Sequence, residues 1–474
     1  MPKIIIIGGG IAGLAAAVHL KSGAKAYGKT VELLLLEKNN RIGGKILTEQ
    51  VGNYLVEGGP DSFLPEKVWS VNLARHLGLE PELLPSNDEF KGTFIYSGGK
   101  LHSLPEGVML MVPTSFWPMA KSGLISWPGK MRMGMEVFVP KRRYWEDESL
   151  ASFVTRRLGR ECLEKIAEPL VAGIHTSNPD NMSVLATFPR FVQMEQKSGS
   201  LIRGMLDAVK HRSHAMHNAP APKAGSPKLT FSMSFKAGMQ TLSQACVDFI
   251  GRESIRTGAQ VAAIEPKGKG YVVILDSGET LEADHVLIAS AAYDAAGMIK
   301  GFDENLASHL NGIEWSSSAT VSIAFRKQDV KAPLKGFGFI VPRVEGRRAN
   351  AATYSSIKWL HRAPGDEILV RVFVGGGHHE ELVHELDDAG MAGMVLEELD
   401  AIVGIKADAV FSKVYRWYRG MPKYTVGHLD RIALLDRMVS LHPGLHLIGC
   451  SYKGIGIGDC IHEAQIAAEN ILKN

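Results

Sequence analysis

The chain has 474 residues, 45% of them apolar and 22% charged, and a formal net charge of +3. This composition excludes a mainly disordered chain, a collagen and a long coiled coil, and a charge so near neutral gives no case for a nucleic acid partner. At roughly 150 residues per domain, the length suggests about three domains or one large composite fold.

Residues 3–7 (KIIII) read as a short buried strand stopped by glycine. Residues 11–22 (IAGLAAAVHLKS) read as a helix rich in small residues, and residues 31–37 (VELLLLE) as a second buried strand. The opening stretch is therefore a strand–glycine turn–helix–strand unit. It does not read as a signal peptide, because Gly8 to Gly10 break the apolar run and a charged helix follows. No apolar run reaches the roughly 18 residues needed to span a bilayer.

Residues 106–210 carry few strand signals and read as mostly helical. Within 100–143, seven cations stand against two anions, a net of +5, interleaved with Met109, Met111, Phe116, Trp117, Ile125, Trp127 and Phe138. This pattern suits a peripheral contact with anionic lipid through 106–143, or an anionic substrate. A helical lobe with a solvated basic face accounts for it equally well. Residues 211–228 are rich in Pro, Ala and Ser and read as a mobile linker. Further on, 272–290 reads as a hairpin leading into a buried strand, and 315–325 and 368–377 as strands of a second sheet. The last stretch reads as a strand (444–449), a glycine loop (454–458) and a helix (461–472).

The four cysteines, Cys162, Cys246, Cys450 and Cys460, include no C-x-x-C pair. A disulfide framework is not expected, and a reducing cytoplasmic setting fits. Cys450 and Cys460 flank the glycine loop and read as small packing residues. His211, His214 and His217 sit in the linker with no nearby cysteine or acidic cluster and read as solvated histidines. His379 and His384 almost mimic H-E-x-x-H, but their spacing of five puts them on different helix faces. That segment reads as surface helix, and no metal is expected.

Gly8-Gly9-Gly10-Ile11-Ala12-Gly13 fits G-x-G-x-x-G in its required setting: a strand before it, a helix opened by it, and an acid, Glu37, ending the next strand 24 positions after Gly13. Gly8 permits the tight turn, Gly10 lets a pyrophosphate approach the backbone, and Gly13 lets the helix pack on the sheet. The helix N-terminus attracts phosphate charge, and Glu37 can accept from both ribose hydroxyls. These residues predict a dinucleotide site.

Arg41-Ile42-Gly43-Gly44-Lys45 then resembles the R-x-G-G-[RK] motif of flavin-dependent amine oxidases and their relatives. Residues 447–459, LIGCSYKGIGIGD, resemble the closing flavin motif of that superfamily. The finer pattern is similar to the porphyrinogen oxidase family. It is carried by Val56-Glu57-Gly58-Gly59-Pro60-Asp61-Ser62-Phe63, by Thr187–Phe191 with Glu195, and by Ser200–Met205. Gly238–Leu242 and Met421–His428 add to it, so the resemblance runs through essentially the whole chain in order.

The resemblance implies a noncovalently bound FAD, since no cysteine stands where monoamine oxidases attach theirs. It implies FAD contacts at Gly8 to Gly13 (Gly8, Gly9, Gly10, Ile11, Ala12, Gly13), at Glu37 and Lys38, and at Gly43, Gly44 and Lys45. Further contacts are implied at Gly59, Pro60, Asp61 and Ser62, at Val261 and Trp417, and at Ile455, Gly456 and Ile457. Its members take six electrons from a porphyrinogen in heme synthesis, with O2 as acceptor and H2O2 as product. The flavin carries that chemistry, and no side-chain base is identified.

The implied fold is α/β: a Rossmann-like FAD-binding domain (1–52, 228–297 and 420–474), a mixed-sheet substrate domain (53–105 and 298–419) and an inserted helical, membrane-facing domain (106–227), as in p-hydroxybenzoate hydroxylase and the amine oxidases. Thr93 stands where the animal and plant branch carries an arginine. Coproporphyrinogen III is therefore expected over protoporphyrinogen IX, which stays open as the alternative. Lys67, Lys91, Arg156 and Arg157 are candidate partners for its four propionates. Ile174, Phe325 and Phe373 are expected near the substrate, although Phe325 and Met239 fit an ordinary core equally well. A hand-off of product to a ferrochelatase follows from the same resemblance, and monomer and homodimer both remain open. An amine oxidase of the same fold would need an aromatic cage that is not evident, and a flavin-free binding protein would not need Glu37 or Gly43-Gly44.

Overall fold

In the computed structural model, the described residues are 1–105, 108–109, 111–113, 116–143, 146–217, 228–331 and 334–473. They form two compact units, one of Met1–Ser86, Pro227–Glu314 and Leu429–Asn474, the other of Asn87–Ser226 and Trp315–His428. The segment expected as a separate helical domain thus belongs with the second unit, and residues 53–86 belong with the first.

The first unit is built on a five-stranded parallel sheet in the order Ile255–Arg256, Glu32–Leu36, Lys3–Ile7, His285–Ile288, Leu445–Leu447. Strands buried on both faces need continuous apolar runs, and the four isoleucines of the central strand are at most 5% exposed. The helix Ile11–Ala26 returns the chain from the first strand to the second. It is rich in alanine because it is pressed between the sheet and the last helix, Ile457–Lys473, so that a side chain on Gly23 would come within 2.6 Å of Leu472. The hairpin expected at 272–290 is the outer part of a three-stranded antiparallel sheet, Val261–Lys267, Gly270–Leu275 and Thr280–Ala283, which feeds the strand His285–Ile288 of the parallel sheet. The last helix begins at Ile457, four residues before the sequence suggests.

The second unit contains a seven-stranded sheet in the order Phe411–Lys423, Glu314–Arg326, Glu367–Gly375, Ala351–Tyr354, Gly338–Ile340, Thr93–Ser97, Lys100–Ser103. The two strands expected at 315–325 and 368–377 lie side by side and antiparallel. One sheet face is covered by the helix Asp388–Val403, through Met391, Met394, Val395 and Leu399. Residues 116–217 supply mainly helices around a core of Leu150, Phe153, Val154, Ile166 and Phe191. Serines at 126, 149 and 183 cap three of them, each accepting a backbone N–H two or three residues into the helix. One expectation is corrected here: the helix Leu201–His217 runs through 211–217, so that part of the expected linker is helical. Residues 218–227 lie outside the described residues. The segment lacks an apolar stripe, but it has no proline until Pro220 to stop the turn.

Candidate functional site

The dinucleotide motif folds as its spacing requires. Gly8 adopts a φ of +112°, and a side chain there would meet the Ala289 backbone at 3.0 Å. A side chain on Gly13 would lie 2.0 Å from the Gly8 carbonyl oxygen, so only glycine lets the helix sit this close to the strand. Gly10 differs: its φ is −75°, and the nearest atom to an added Cβ is Gly44 Cα at 3.9 Å. Open space therefore lies over Gly10 at the helix N-terminus, where unpaired N–H groups and the helix dipole favour an anion.

Glu37 closes one side of this space. It is 6% exposed, accepts from Gly9 N at 2.7 Å with one oxygen, and accepts from Asn39 N and Nδ2 at 2.8 and 2.6 Å with the other. The oxygen that accepts from Gly9 keeps a lone pair for a ribose hydroxyl, while the other is filled by Asn39. The R-x-G-G-K turn closes a second side. Gly43 donates to the Gly9 carbonyl at 2.8 Å, and Gly44, with a φ of +57°, lies against Gly10. Arg41 does not point into the space: its guanidinium donates to the carbonyls of Gly44 and of Ile46 (2.8 Å) and so braces the turn. Burial lowers the Arg41 pKa.

The closing motif joins the same place. Ile448 donates to the Ile288 carbonyl, which brings Gly449 to where a Cβ on it would lie 3.6 Å from Ala12 Cβ. The Glu463 carboxyl accepts from Gly449 N at 3.1 Å, and burial pushes its pKa up to about 7. Lys45 reaches the Cys450 sulfur at 3.4 Å. Gly456 lies on the turn that starts the last helix, where its N–H meets Asp459 Oδ2 at 3.2 Å, with Ile455 and Ile457 flanking it. Gly59 packs on Lys45, since a Cβ there would lie 1.7 Å from the Lys45 oxygen. Pro60, Asp61 and Ser62 follow in the same loop, tied by Ser234 Oγ to the Asp61 carbonyl at 2.8 Å. Val261 begins the strand reached through Ala259, whose N–H bonds the Glu37 carbonyl at 2.9 Å. Residues far apart in sequence thus converge on one helix N-terminus. The open cradle at Gly10 and the buried, partly satisfied Glu37 carboxylate fit a dinucleotide.

Other expected residues are placed as follows. The Lys38 ammonium is 3.2 Å from Asp294. Trp417 is half-buried in the strand Phe411–Lys423 of the second unit. Ile174 falls in the helix Glu168–His175, with its side chain outside the described residues. Lys67 forms an ion pair with Asp459 beside Gly456, in the first unit. Arg156 binds Glu195 and Glu148, each at 2.7 Å, and Arg157 is fully buried on Glu136. These three cations have carboxylates of the chain itself as partners.

Strand register separates Phe325 from Phe373. Phe373 pairs with Thr320, and Phe325 with Ile368, so the pleat puts the two phenylalanines on opposite sheet faces. Phe325 shares its face with Val321 and Ile323, is 0% exposed and packs into the core with the helix Asp388–Val403. The expectation that it lines the substrate is corrected accordingly. Thr93 lies in one cross-sheet row with Gly338, Thr353 and Arg371, and the next row carries Ile95, Ile340, Ala351 and Phe373. Thr93 and Phe373 therefore share a face. Sequence reading missed Arg371 on that face, a buried cation whose guanidinium lies 4.8 Å over the Phe373 ring. Its two-residue offset from Phe373 in a strand was the available signal.

The family model for flavin containing amine oxidoreductases matches residues 11–472. A coproporphyrinogen III oxidase of Bacillus subtilis (strain 168) is 35% identical over 99% of this chain and 97% of its own length. The chloroplastic protoporphyrinogen oxidase 1 of Spinacia oleracea is 28% identical over 99% of this chain and 84% of its own length. A crystal structure of an Exiguobacterium sp. 255-15 protein superposes with a TM-score of 0.84 at 31% identity, covering 100% of this chain and 99% of that one.

Proposed function

Because the chain belongs to the family of flavin containing amine oxidoreductases, we propose that it oxidises coproporphyrinogen III to coproporphyrin III, with FAD as cofactor, O2 as acceptor and H2O2 as product. The observation that carries this reading is the full-length similarity to the Bacillus subtilis coproporphyrinogen III oxidase. The bound FAD supplies the two-electron oxidation, which runs three times per porphyrin. The chain's residues hold the cofactor: backbone N–H groups around Gly10 meet the pyrophosphate, Glu37 takes a ribose hydroxyl, and the Gly43–Gly44 turn excludes water from that side. The porphyrinogen belongs on the sheet face of Thr93 and Phe373. Threonine at 93 is shorter than the arginine expected there in the animal and plant branch, which suits a substrate with more propionates. The spinach relative supports protoporphyrinogen IX as the second reading.

The test is porphyrin fluorescence appearing in air, with both porphyrinogens run side by side. We expect kcat/KM for coproporphyrinogen III to exceed that for protoporphyrinogen IX by about tenfold, or ~1.4 kcal/mol of transition-state binding. Equal or reversed values would replace the first reading by the second. The product, an iron-free porphyrin, is then a substrate for a ferrochelatase.

We also infer a peripheral contact with anionic lipid through the basic segment. Among the described residues, no helix is long and apolar enough to cross a membrane. In the helix Trp127–Gly134 and the turn Met135–Phe138, the side chains of Trp127, Met131, Met135 and Phe138 are 55–79% exposed, while Met133 and Glu136 are buried. The exposed set recurs at helical spacing and so forms one stripe, with Lys130 4.5 Å over the Trp127 ring. An apolar stripe edged by cations suits the headgroup region. Trp127→Ser with Phe138→Ser should lower binding to phosphatidylglycerol vesicles at least about tenfold, since each buried side chain contributes ~2 kcal/mol. Cosedimentation unchanged by the pair of substitutions would refute the contact.

A further inference from the structure

Phe373 stands in the strand Glu367–Gly375, on the sheet face to which the porphyrinogen has been assigned. Its neighbours on that face are small. The positions paired with it across the sheet are Thr320 and Ala351. Two residues onward along the strand comes Gly375, which has no side chain and pairs with Ser318. Two residues back comes Arg371, paired with the neutral Ser322 and Thr353. Among these neighbours, Arg371 alone has a side chain long enough to cover a phenyl ring. It is 4% exposed, and its guanidinium lies 4.8 Å over the Phe373 ring.

We propose that Arg371 is a positioning residue for the porphyrinogen: it holds the Phe373 ring in one orientation, and the ring fixes how the macrocycle lies on the sheet. This role rests on the porphyrinogen reading given above. A guanidinium over an aromatic face is attracted by the ring quadrupole, and the attraction grows when water is excluded. Unheld, a phenyl ring among Ser, Thr, Ala and Gly samples more than one rotamer. The substrate would then have to order the ring as it binds, which costs up to about tenfold in affinity. Arg371 removes that cost by ordering the ring beforehand. Its effect therefore falls on substrate binding and passes through Phe373.

The test measures oxidation of the preferred porphyrinogen by the flavin-loaded protein. Arg371→Met should raise KM about tenfold, with kcat within about twofold of wild type and flavin content unchanged. Arg371→Lys keeps the charge but not the planar stack, and should recover part of the loss. In a Phe373→Leu protein, Arg371→Met should raise KM less than about twofold further, because no ring remains to be held. A guanidinium that merely fills the interior would give the same loss in both backgrounds. Should Arg371→Met not fold, mono- and trifluorinated phenylalanine in place of Phe373 weaken the stack while leaving Arg371 in place, and KM should rise stepwise along that series. An unchanged KM in Arg371→Met or across the fluorinated series overturns the proposal, as does an equal loss with and without the ring. A wild-type protein that oxidises neither porphyrinogen would instead refute the reading beneath it, and this role with it.

Discussion

Gly10→Val should give a folded protein that purifies colourless. The backbone at Gly10 has a φ of −75°, which valine adopts without strain, and the nearest atom to its Cβ is 3.9 Å away. The protein therefore tolerates the side chain, but the isopropyl group fills the space the pyrophosphate needs. Flavin retention should fall about a hundredfold, or ~2.7 kcal/mol, with thermal midpoint and circular dichroism close to wild type. Gly13→Val makes the contrast, because its Cβ would sit 2.0 Å from the Gly8 carbonyl. That change should break the helix–strand packing and yield little folded protein. A yellow Gly10→Val protein with full flavin would falsify the cradle assignment.

Glu136→Ala should be the most destabilising change in the second unit. Arg157 is fully buried; besides its contact with Glu136, it donates to the carbonyls of Val139 and Gly199 at 2.9 and 3.0 Å. Glu136, equally buried, also accepts from Ser200 Oγ at 2.5 Å and from Leu201 N at 2.8 Å. Removing the carboxylate leaves the buried guanidinium with only Glu195, 3.6 Å away and already bound by Arg156, as counter-charge, which costs about 3–5 kcal/mol. Urea unfolding of the variant should show this as a lower midpoint at similar slope. The double change Glu136→Met with Arg157→Met should recover much of the loss, since an apolar pair leaves no buried charge. A Glu136→Ala protein as stable as wild type would remove the pair from any account of what holds the helices of residues 116–217 together.

The opening strand–helix–strand unit was legible because its signals are local. Four isoleucines, a glycine run and a leucine run each determine their own neighbourhood, and Gly8, Gly13 and Glu37 are constrained by one turn. The partners of charged residues were not legible in this way. Lys67 and Asp459 are 392 positions apart, and Arg157 meets Glu136 across a helix interface. A cation has the same chemistry whether it faces a propionate or a carboxylate of its own chain. Phe325 and Phe373 both sit in clear strands, yet only the pairing register tells that they point opposite ways. The helix at 211–217 was hidden for another reason. Polar residues of moderate helix propensity leave no apolar stripe to read, and the turn persists by continuing one already formed at Leu201.

The central sheet of the first unit takes adjacent strands from residues 3–7, 285–288 and 445–447, and the first helix is covered by the last. During synthesis, the alanine-rich face of the first helix therefore leaves the ribosome several hundred residues ahead of the surface that will cover it. Chain regions that must wait for distant partners fold slowly and expose apolar surface meanwhile. The second unit closes by His428, before the last segment of the first unit has been made. Vectorial synthesis thus favours an order in which the inserted unit matures first and the nucleotide-binding sheet is completed last. A nascent chain stalled short of Ile457 would present an uncovered helix to chaperones and proteases.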